Sequence, residues 1–84
     1  MNKRRLMARA VAGARDIRLD EFVTLIRAFG FEATRTEGSH RIFERPGVRE
    51  IVNVQSRRGL AKQYQIRQFL RLVERYNLGM EDDE

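Results

Sequence analysis

The chain has 84 residues, no cysteine and one histidine, and it carries 17 basic against 12 acidic side chains. This length predicts one domain with one small core. The absence of cysteine excludes disulfide bonds and thiolate metal sites, and a single histidine argues against a zinc cluster. We expect no metal ion or other cofactor. No apolar run could span a bilayer and no signal-peptide segment is present, so we expect a soluble cytoplasmic protein.

The positive charge is concentrated in the body of the chain. Residues 81–84 are all acidic, and without them the body has 17 basic and 8 acidic side chains. Such an excess favours a polyanionic partner, although surface arginines could equally serve only to keep a small domain soluble. Fifteen of the basic residues are arginines. Their planar guanidinium groups bind phosphate through two parallel hydrogen bonds, which favours nucleic acid.

Residues 1–18 form a basic N-terminal extension. A helix is predicted from about Lys3 to Ala12, with Gly13 ending it. Its apolar face consists of Leu6, Met7, Ala10, Val11 and Ala14. Two interpretations remain open: a basic arm that binds a nucleic-acid backbone or a partner, and an extra helix that covers the core or frays. The second is slightly favoured, and because two of the five apolar residues are alanines, this helix would be marginally stable alone.

A stronger helical pattern begins at Asp20 and ends before Gly30. Its apolar positions recur with helical spacing, and acidic residues occupy the first turn, where the helix dipole favours negative charge. The predicted buried face consists of Phe22, Val23, Ile26 and Phe29, with Leu25 beside them.

Three strands are predicted next, over residues 31–36, 40–45 and 50–55. The first two are joined by a turn at residues 37–39. The second and third are joined by Arg45-Pro46-Gly47-Val48, which has proline and glycine at the positions that a type II turn requires. Because these connections are short, we expect an antiparallel meander.

The segment 56–62 is predicted to be a basic loop, and it leads into a final helix from about Gln63 to Asn77. The apolar stripe of this helix consists of Ile66, Phe69, Leu70 and Val73. The predicted fold is therefore α+β, a three-stranded antiparallel sheet with helices on one face. This outline resembles a double-stranded-RNA-binding domain.

Basic residues lie where such a fold could bind phosphate. Arg57, Arg58 and Lys62 precede the last helix, whose N-terminus also attracts anions. Arg35 and Arg41 flank the histidine and are further candidates for RNA binding. Recognition of this kind depends on shape and phosphate contacts more than on sequence. The alternative is that the basic segment is only a solvated loop.

Three short motifs are typical of one known family. They are Gly30-Phe31 after a helix, Gly38-Ser39-His40 at a turn, and Ile42-Phe43 in the following strand. With these motifs, residues 19–78 resemble the HicA family, mRNA interferase toxins of type II toxin–antitoxin modules. The resemblance implies a double-stranded-RNA-binding-like fold, metal-independent cleavage of mRNA through His40, and a HicB antitoxin that masks this histidine.

The resemblance divides the chain into an extension over residues 1–18, a HicA-like domain over residues 19–80 and an acidic tail over residues 81–84. Three features depart from the family. Many members have a further histidine after the third strand, where this chain has Asn53-Val54-Gln55 followed by arginines. The extension is longer than in the minimal toxin, and the acidic tail is not typical of the family.

The chemistry of RNA cleavage agrees with a histidine in this position. RNA supplies its own nucleophile, the 2′-hydroxyl, and histidine titrates near neutral pH, so His40 suits the role of general base. A nearby arginine could stabilise charge on the phosphate. Without a second histidine, the leaving oxygen depends on water, Tyr64 or an arginine for its proton, which predicts a slow enzyme.

Other interpretations stay open. His40 could be a turn residue that caps a backbone group, and the domain could be a non-catalytic RNA-binding module or a protein-interaction domain. The position of His40 in the sheet is also open, because side chains alternate along a strand. If Phe43 enters the helix-covered core, then His40 and Ile42 face the open side, and this arrangement is preferred.

Overall fold

The structure is a computed structural model that describes residues 2–80, so the acidic segment 81–84 lies outside the described residues. It has three helices and five strands within that range. The helices are α1 (Lys3–Val11), α2 (Leu19–Ala28) and α3 (Gln63–Arg75), and the strands are β1 (Glu32–Glu37), β2 (His40–Glu44), β3 (Val52–Val54), β4 (Ser56–Arg57) and β5 (Leu60–Ala61). In residues 2–80 no helix is both long enough and apolar enough to cross a membrane.

The three predicted strands form one antiparallel sheet in the order β1-β2-β3. The turn between β2 and β3 is of type II as predicted, since Gly47 has a φ of 86° and the Val48 amide donates to the Arg45 carbonyl at 3.1 Å. The third strand is shorter than predicted, because only residues 52–54 pair with β2. The α+β fold with a three-stranded antiparallel sheet is confirmed.

The segment 56–62 is not a loop, so that prediction was wrong. β4 and β5 form a second, two-stranded sheet around a two-residue turn in which Arg58 and Gly59 both have positive φ, as in a type I′ hairpin. Residues from the N-terminal extension extend this hairpin. The Ala61 amide donates to the Ile17 carbonyl at 2.9 Å, and the Leu19 amide donates to the Gly59 carbonyl at 2.9 Å.

The core lies between the sheet and the helices, with Phe69 of α3 at its centre. Phe69 is 0% exposed, as predicted, and meets three other phenylalanine rings edge to face. The centroid distances are 5.8 Å to Phe22, 5.6 Å to Phe29 and 5.7 Å to Phe31. The stripe of α3 is rotated slightly from the prediction, since Leu72 is buried while Leu70 and Val73 are only partly buried.

The helix of the N-terminal extension belongs to the same core. Leu6 and Ala10 of α1 are buried in it together with Ile17, while Val11 is 66% exposed and does not share the buried face. Asn2 caps α1 by accepting a hydrogen bond from the Arg5 amide at 2.9 Å. Of the two interpretations of this segment, the structure has the one in which an extra helix covers the core.

The two faces of the sheet differ. Phe43, Val52 and Val54 belong to the core that all three helices cover. Ile42 alternates with Phe43 and lies outside that core, yet it is only 3% exposed. Its cross-strand partners, Arg35 and Asn53, flank it on the open face. His40 is two residues before Ile42 in the same strand, so its side chain lies on the same, open face. This is the arrangement that we preferred from the sequence.

Candidate functional site

His40 is the first residue of β2, directly after a two-residue turn formed by Gly38 and Ser39. Glu37 and His40 are paired across this turn. Gly38 has a φ of 62° and Ser39 is not in the positive-φ region, which corresponds to a type II′ hairpin with glycine at its first central position. The Gly38-Ser39 pair therefore determines where the turn ends and where β2 begins, at His40.

Asn53 of β3 is hydrogen-bonded to the imidazole of His40. The distance from His40 Nδ1 to Asn53 Oδ1 is 2.8 Å. Since a carbonyl oxygen can only accept, this contact is a hydrogen bond only when Nδ1 carries a proton, and in a neutral ring Nε2 then keeps its lone pair. No other hydrogen bond to the imidazole occurs within residues 2–80. The histidine is half-buried, so Nε2 is the atom available for proton transfer.

A chain of hydrogen bonds joins the turn to the start of α3. The Gln55 side chain donates from Nε2 to Ser39 Oγ at 3.0 Å and accepts from Lys62 Nζ at 2.7 Å. The backbone amide of Gln55 donates to Oε1 of Gln65 at 3.0 Å, and Gln65 is only 3% exposed. Gln55 thus holds Ser39, and with it the turn before His40, next to the ammonium group of Lys62.

Beside this chain lies an open cleft of about 790 Å³, which we call the basic cleft. The β4–β5 hairpin and the first turns of α3 form most of its walls. The residues that line it are Arg15, Ser56, Arg57, Arg58, Leu60, Ala61, Lys62, Gln63, Tyr64 and Arg67. Five of these are cationic and none is acidic, and Tyr64 is 49% exposed.

The cations of the basic cleft have no acidic partner among the residues that the structure describes. Within residues 2–80, no carboxylate lies within 4.0 Å of the five cationic groups in the cleft. No ion pair in this range neutralises their charges, and a concave surface of one sign attracts anions such as phosphate. The described part of the chain also contains no cluster of histidine and acidic side chains that could hold a metal ion.

The structure brings together three of the five basic residues singled out from the sequence. Arg57, Arg58 and Lys62 all line the basic cleft. Arg35 lies on the open face near His40, but it pairs with Glu37 at 2.7 Å and with Glu44 at 3.8 Å.

Arg41 has a different position. Arg41 directly follows His40 in β2, and its guanidinium lies 5.5 Å from the centroid of the Phe43 ring. The histidine and Arg41 therefore lie on opposite faces of the sheet.

Sequence reasoning missed Asn53 and Gln55, which contact the Gly-Ser-His turn, and Arg15 and Arg67, which line the basic cleft. The sequence contained a weak indication that Asn53 lies on the open face, because it is a polar residue between two valines whose side chains must point to the other face. It contained no such indication for Gln55 and Arg15, because their contacts join segments that are far apart in the chain.

One carboxyl group has a clearly shifted pKa. The Tyr76 hydroxyl donates to Glu50 at 2.6 Å and lowers the pKa of Glu50, with a smaller contribution from Arg75 at 2.7 Å. This contact ties the C-terminal end of α3 to the segment before β3. Because α3 has 13 residues, it is about 20 Å long, and this contact is at the end opposite Lys62.

Residues 19–74, about two thirds of the chain, match the family described as HicA toxin of bacterial toxin–antitoxin. The matched range includes His40, Asn53, Gln55 and most of the basic cleft, while Arg15 and α1 precede it. Neither a search of curated proteins nor a search of solved structures found a match.

Proposed function

This chain belongs to the HicA family, the toxins of bacterial toxin–antitoxin systems, which are generally endoribonucleases, and we propose that it is an mRNA interferase in which His40 is the general base. The reaction needs no metal ion, since the nucleophile is part of the RNA. The observation that carries the proposal is the geometry of His40. Its Nε2 is unpaired within residues 2–80, and it lies next to a turn that Gln55 links to the basic cleft.

The proposed cleavage begins at the 2′-hydroxyl of the RNA. His40 Nε2 takes the hydroxyl proton while the oxygen attacks the neighbouring phosphorus. The bond from phosphorus to the 5′-oxygen of the next nucleotide breaks, and water supplies the proton that this oxygen needs. The products are a 2′,3′-cyclic phosphate and a free 5′-hydroxyl. With no second histidine to act as the acid, we expect turnover to be slow.

The basic cleft is proposed to bind the RNA backbone. Arginine and lysine side chains without acidic partners can each contact a phosphate, and such contacts position RNA without reading its sequence. Lys62 connects the basic cleft with the turn before His40, because it lines the cleft and also donates to Gln55, which is bonded to Ser39. RNA bound in the cleft would therefore pass close to His40.

A HicB-type antitoxin is the proposed protein partner. The family implies such a partner, and its expected effect is to cover His40 and prevent RNA from reaching it. Co-expression of a HicB-type protein should then relieve any growth arrest, and the two proteins should co-purify.

A second candidate function is a non-catalytic RNA-binding module. The single histidine, together with a large cleft of unpaired cations, favours it. A protein that binds RNA tightly but leaves it intact over long incubation would decide for this module and against the nuclease.

The nuclease proposal is tested with His40→Ala, expressed from an inducible promoter beside the wild type. We expect growth arrest and RNA fragmentation with the wild type only. With purified protein, the cleavage rate should fall about 10²- to 10⁴-fold, the usual effect of losing a general base. RNA affinity should change little, because it depends on the basic cleft.

Two controls make this experiment decisive. Gln68→Ala replaces an exposed residue of α3 outside the basic cleft and should leave growth arrest and cleavage unchanged. The melting temperature of His40→Ala shows whether the fold survives. Cleavage by His40→Ala at the wild-type rate would mean that the base is elsewhere, and an unfolded variant would mean that His40 is a structural turn residue.

A further inference from the structure

The hydrogen bond between Asn53 and His40 lies where it can determine which ring nitrogen of the histidine carries the proton. We infer that Asn53 is a positioning residue, which holds the imidazole as the Nδ1–H tautomer and presents the Nε2 lone pair to RNA. This inference rests on the proposed role of His40 as the base. Asn53 lies in the strand that follows the Pro-Gly turn and has no part in the motif that singled out the histidine.

The position of Asn53 is set by its neighbours in β3. Val52 and Val54 on either side are buried in the core, so the Asn53 side chain must point to the open face. Asn53 is paired directly with Ile42, two residues from His40 on the same face. The hydrogen bond therefore joins two strands, and the core fixes the backbone of each.

The direction of this hydrogen bond decides which nitrogen can act as a base. A neutral imidazole exists as two tautomers, and only the nitrogen without a hydrogen can accept a proton. With Oδ1 of Asn53 at 2.8 Å, the hydrogen is on Nδ1 and Nε2 is the base. After Nε2 takes the proton of the 2′-hydroxyl, Nδ1 still donates to Asn53, so the same contact supports both states of the ring.

The other side chains near the imidazole do not determine which of its nitrogens carries the hydrogen. Glu37 is opposite His40 on β1, but its carboxylate accepts from Arg35 at 2.7 Å. The Lys62 ammonium donates to the Gln55 side chain, and Gln55 donates to Ser39 rather than to the imidazole. Asn53 is therefore the one side chain within residues 2–80 that is hydrogen-bonded to the ring.

The test uses the fact that the chain has one histidine. A two-dimensional nitrogen–proton NMR spectrum of ring-labelled protein then contains the signals of one imidazole, and the two nitrogen shifts report the tautomer directly. When the ring is neutral, the wild type should show Nδ1–H. In Asn53→Ala the Nε2–H form should become populated.

Kinetics provide the second measurement. In Asn53→Ala we expect kcat to fall about 10- to 100-fold, the usual cost of losing a group that orients a histidine. KM should stay unchanged, because the basic cleft is intact. Thr36→Ala is the matched control, since it replaces an exposed polar residue of the same sheet that does not contact His40. It should change neither the tautomer nor kcat.

Asn53→Asp is the conservative variant. A carboxylate oxygen still accepts from Nδ1–H, so the tautomer should be retained. Its negative charge favours the protonated form of the ring over the neutral form. The rising limb of the pH–rate profile should therefore move to higher pH, with most of the activity recovered at alkaline pH. The readout specific to this inference is the tautomer, because the added charge would move this limb even if Asn53 had only a structural role.

The possible outcomes separate this inference from the proposed function. An Nε2–H tautomer in the wild type, or an unchanged kcat in Asn53→Ala, would overturn the role of Asn53 while His40 remained the base. A wild type that shows Nδ1–H but does not cleave RNA would overturn the nuclease proposal, and the tautomer assignment would stand. If Asn53→Ala fails to fold, Asn53→Asp still tests the inference through its NMR spectrum, because Nδ1–H should remain the tautomer of the neutral ring and an Nε2–H ring would overturn the role of Asn53.

Discussion

The two faces of β2 make different kinds of contact, although the residues of the two faces alternate along one short strand. Phe43 lies on the helix-covered face, is fully buried and belongs to the core around Phe69. His40 lies on the open face, is half-buried and contacts the polar side chain of Asn53. One face is made of apolar contacts that stabilise the fold. The open face is more polar, since it carries the hydrogen bond between His40 and Asn53 and buries only Ile42 between its cross-strand neighbours.

This difference predicts that substitutions on the two faces have separable effects. Changes in the core should lower the free energy of unfolding and remove activity only because the protein unfolds. Changes around His40 should lower the rate of cleavage and leave the free energy of unfolding nearly unchanged. The predictions below test this separation, beginning with the largest expected effect.

Phe69→Ala should lower the free energy of unfolding by about 3–5 kcal/mol, because it removes a buried ring that contacts three other aromatic rings. A loss of this size is a large part of the stability of a small domain. Urea or thermal denaturation followed by circular dichroism would measure it. Leu70→Ala, at a partly buried neighbour on α3, is the control and should cost less. A Phe69→Ala protein that melts within one or two degrees of the wild type would contradict the assigned core.

Arg57→Gln, Arg58→Gln and Lys62→Gln should each weaken RNA binding, and unrelated RNAs should be affected about equally. Each substitution removes one phosphate contact, so the slope of log K against log salt should become shallower by about 0.7 on single strands. Fluorescence anisotropy at several salt concentrations would measure both quantities. Arg35→Gln is the matched control on the open face and should have a smaller effect, because Arg35 already pairs with Glu37 and Glu44.

A second pair of variants extends this test to the N-terminal extension. Arg15 lines the basic cleft, whereas Arg5 is an exposed arginine of α1 outside it. Arg15→Gln should therefore weaken binding and Arg5→Gln should not. Equal losses in the two variants, or a loss that affects one RNA sequence only, would argue against a cleft that binds the phosphate backbone.

Tyr76→Phe should have the smallest effect, and this effect should depend on pH. The Tyr76 hydroxyl holds the pKa of Glu50 below its usual value of 4.5. A carboxyl group with a lowered pKa stabilises the fold above its unfolded-state pKa, and this stabilisation is lost as the pH falls through the folded-state pKa. Wild type and variant should therefore differ at neutral pH and converge as the pH falls through the lowered folded-state pKa of Glu50, as measured by thermal denaturation. A difference that grows in acid would contradict the assignment.

Local sequence patterns were sufficient to predict most of the fold. Helical spacing located the buried face of α2 and the burial of Phe69, and Pro46-Gly47 predicted the type II turn, because these features depend on neighbours within a few residues. Gly38-Ser39 likewise marked the turn before His40. The burial of Phe43, once assumed, correctly implied that His40 lies on the open face, since strand residues alternate.

The surroundings of the site depended on tertiary structure. The sequence contained Asn53, Gln55 and Lys62, but only the pairing of β2 with β3 and the packing of α3 bring them to His40 and Ser39. The basic segment was mistaken for a loop although β4 pairs with β5 around a two-residue turn. Its bond to Ile17, more than forty residues away along the chain, had no signal in the sequence. Arg35 and Arg57 look equivalent in the sequence, yet one is paired with carboxylates and the other is not.

The sequence by itself therefore determined the three helices, the three-stranded sheet and most of the apolar faces, because these follow from backbone preference and periodicity. Tertiary structure decided that Asn53 bonds to Nδ1 of His40, which arginines have carboxylate partners within residues 2–80, and that Arg15 of the extension lines the basic cleft. Hydrogen bonds and ion pairs act over a few ångströms, so they depend on distances that a folded chain sets between residues far apart in sequence.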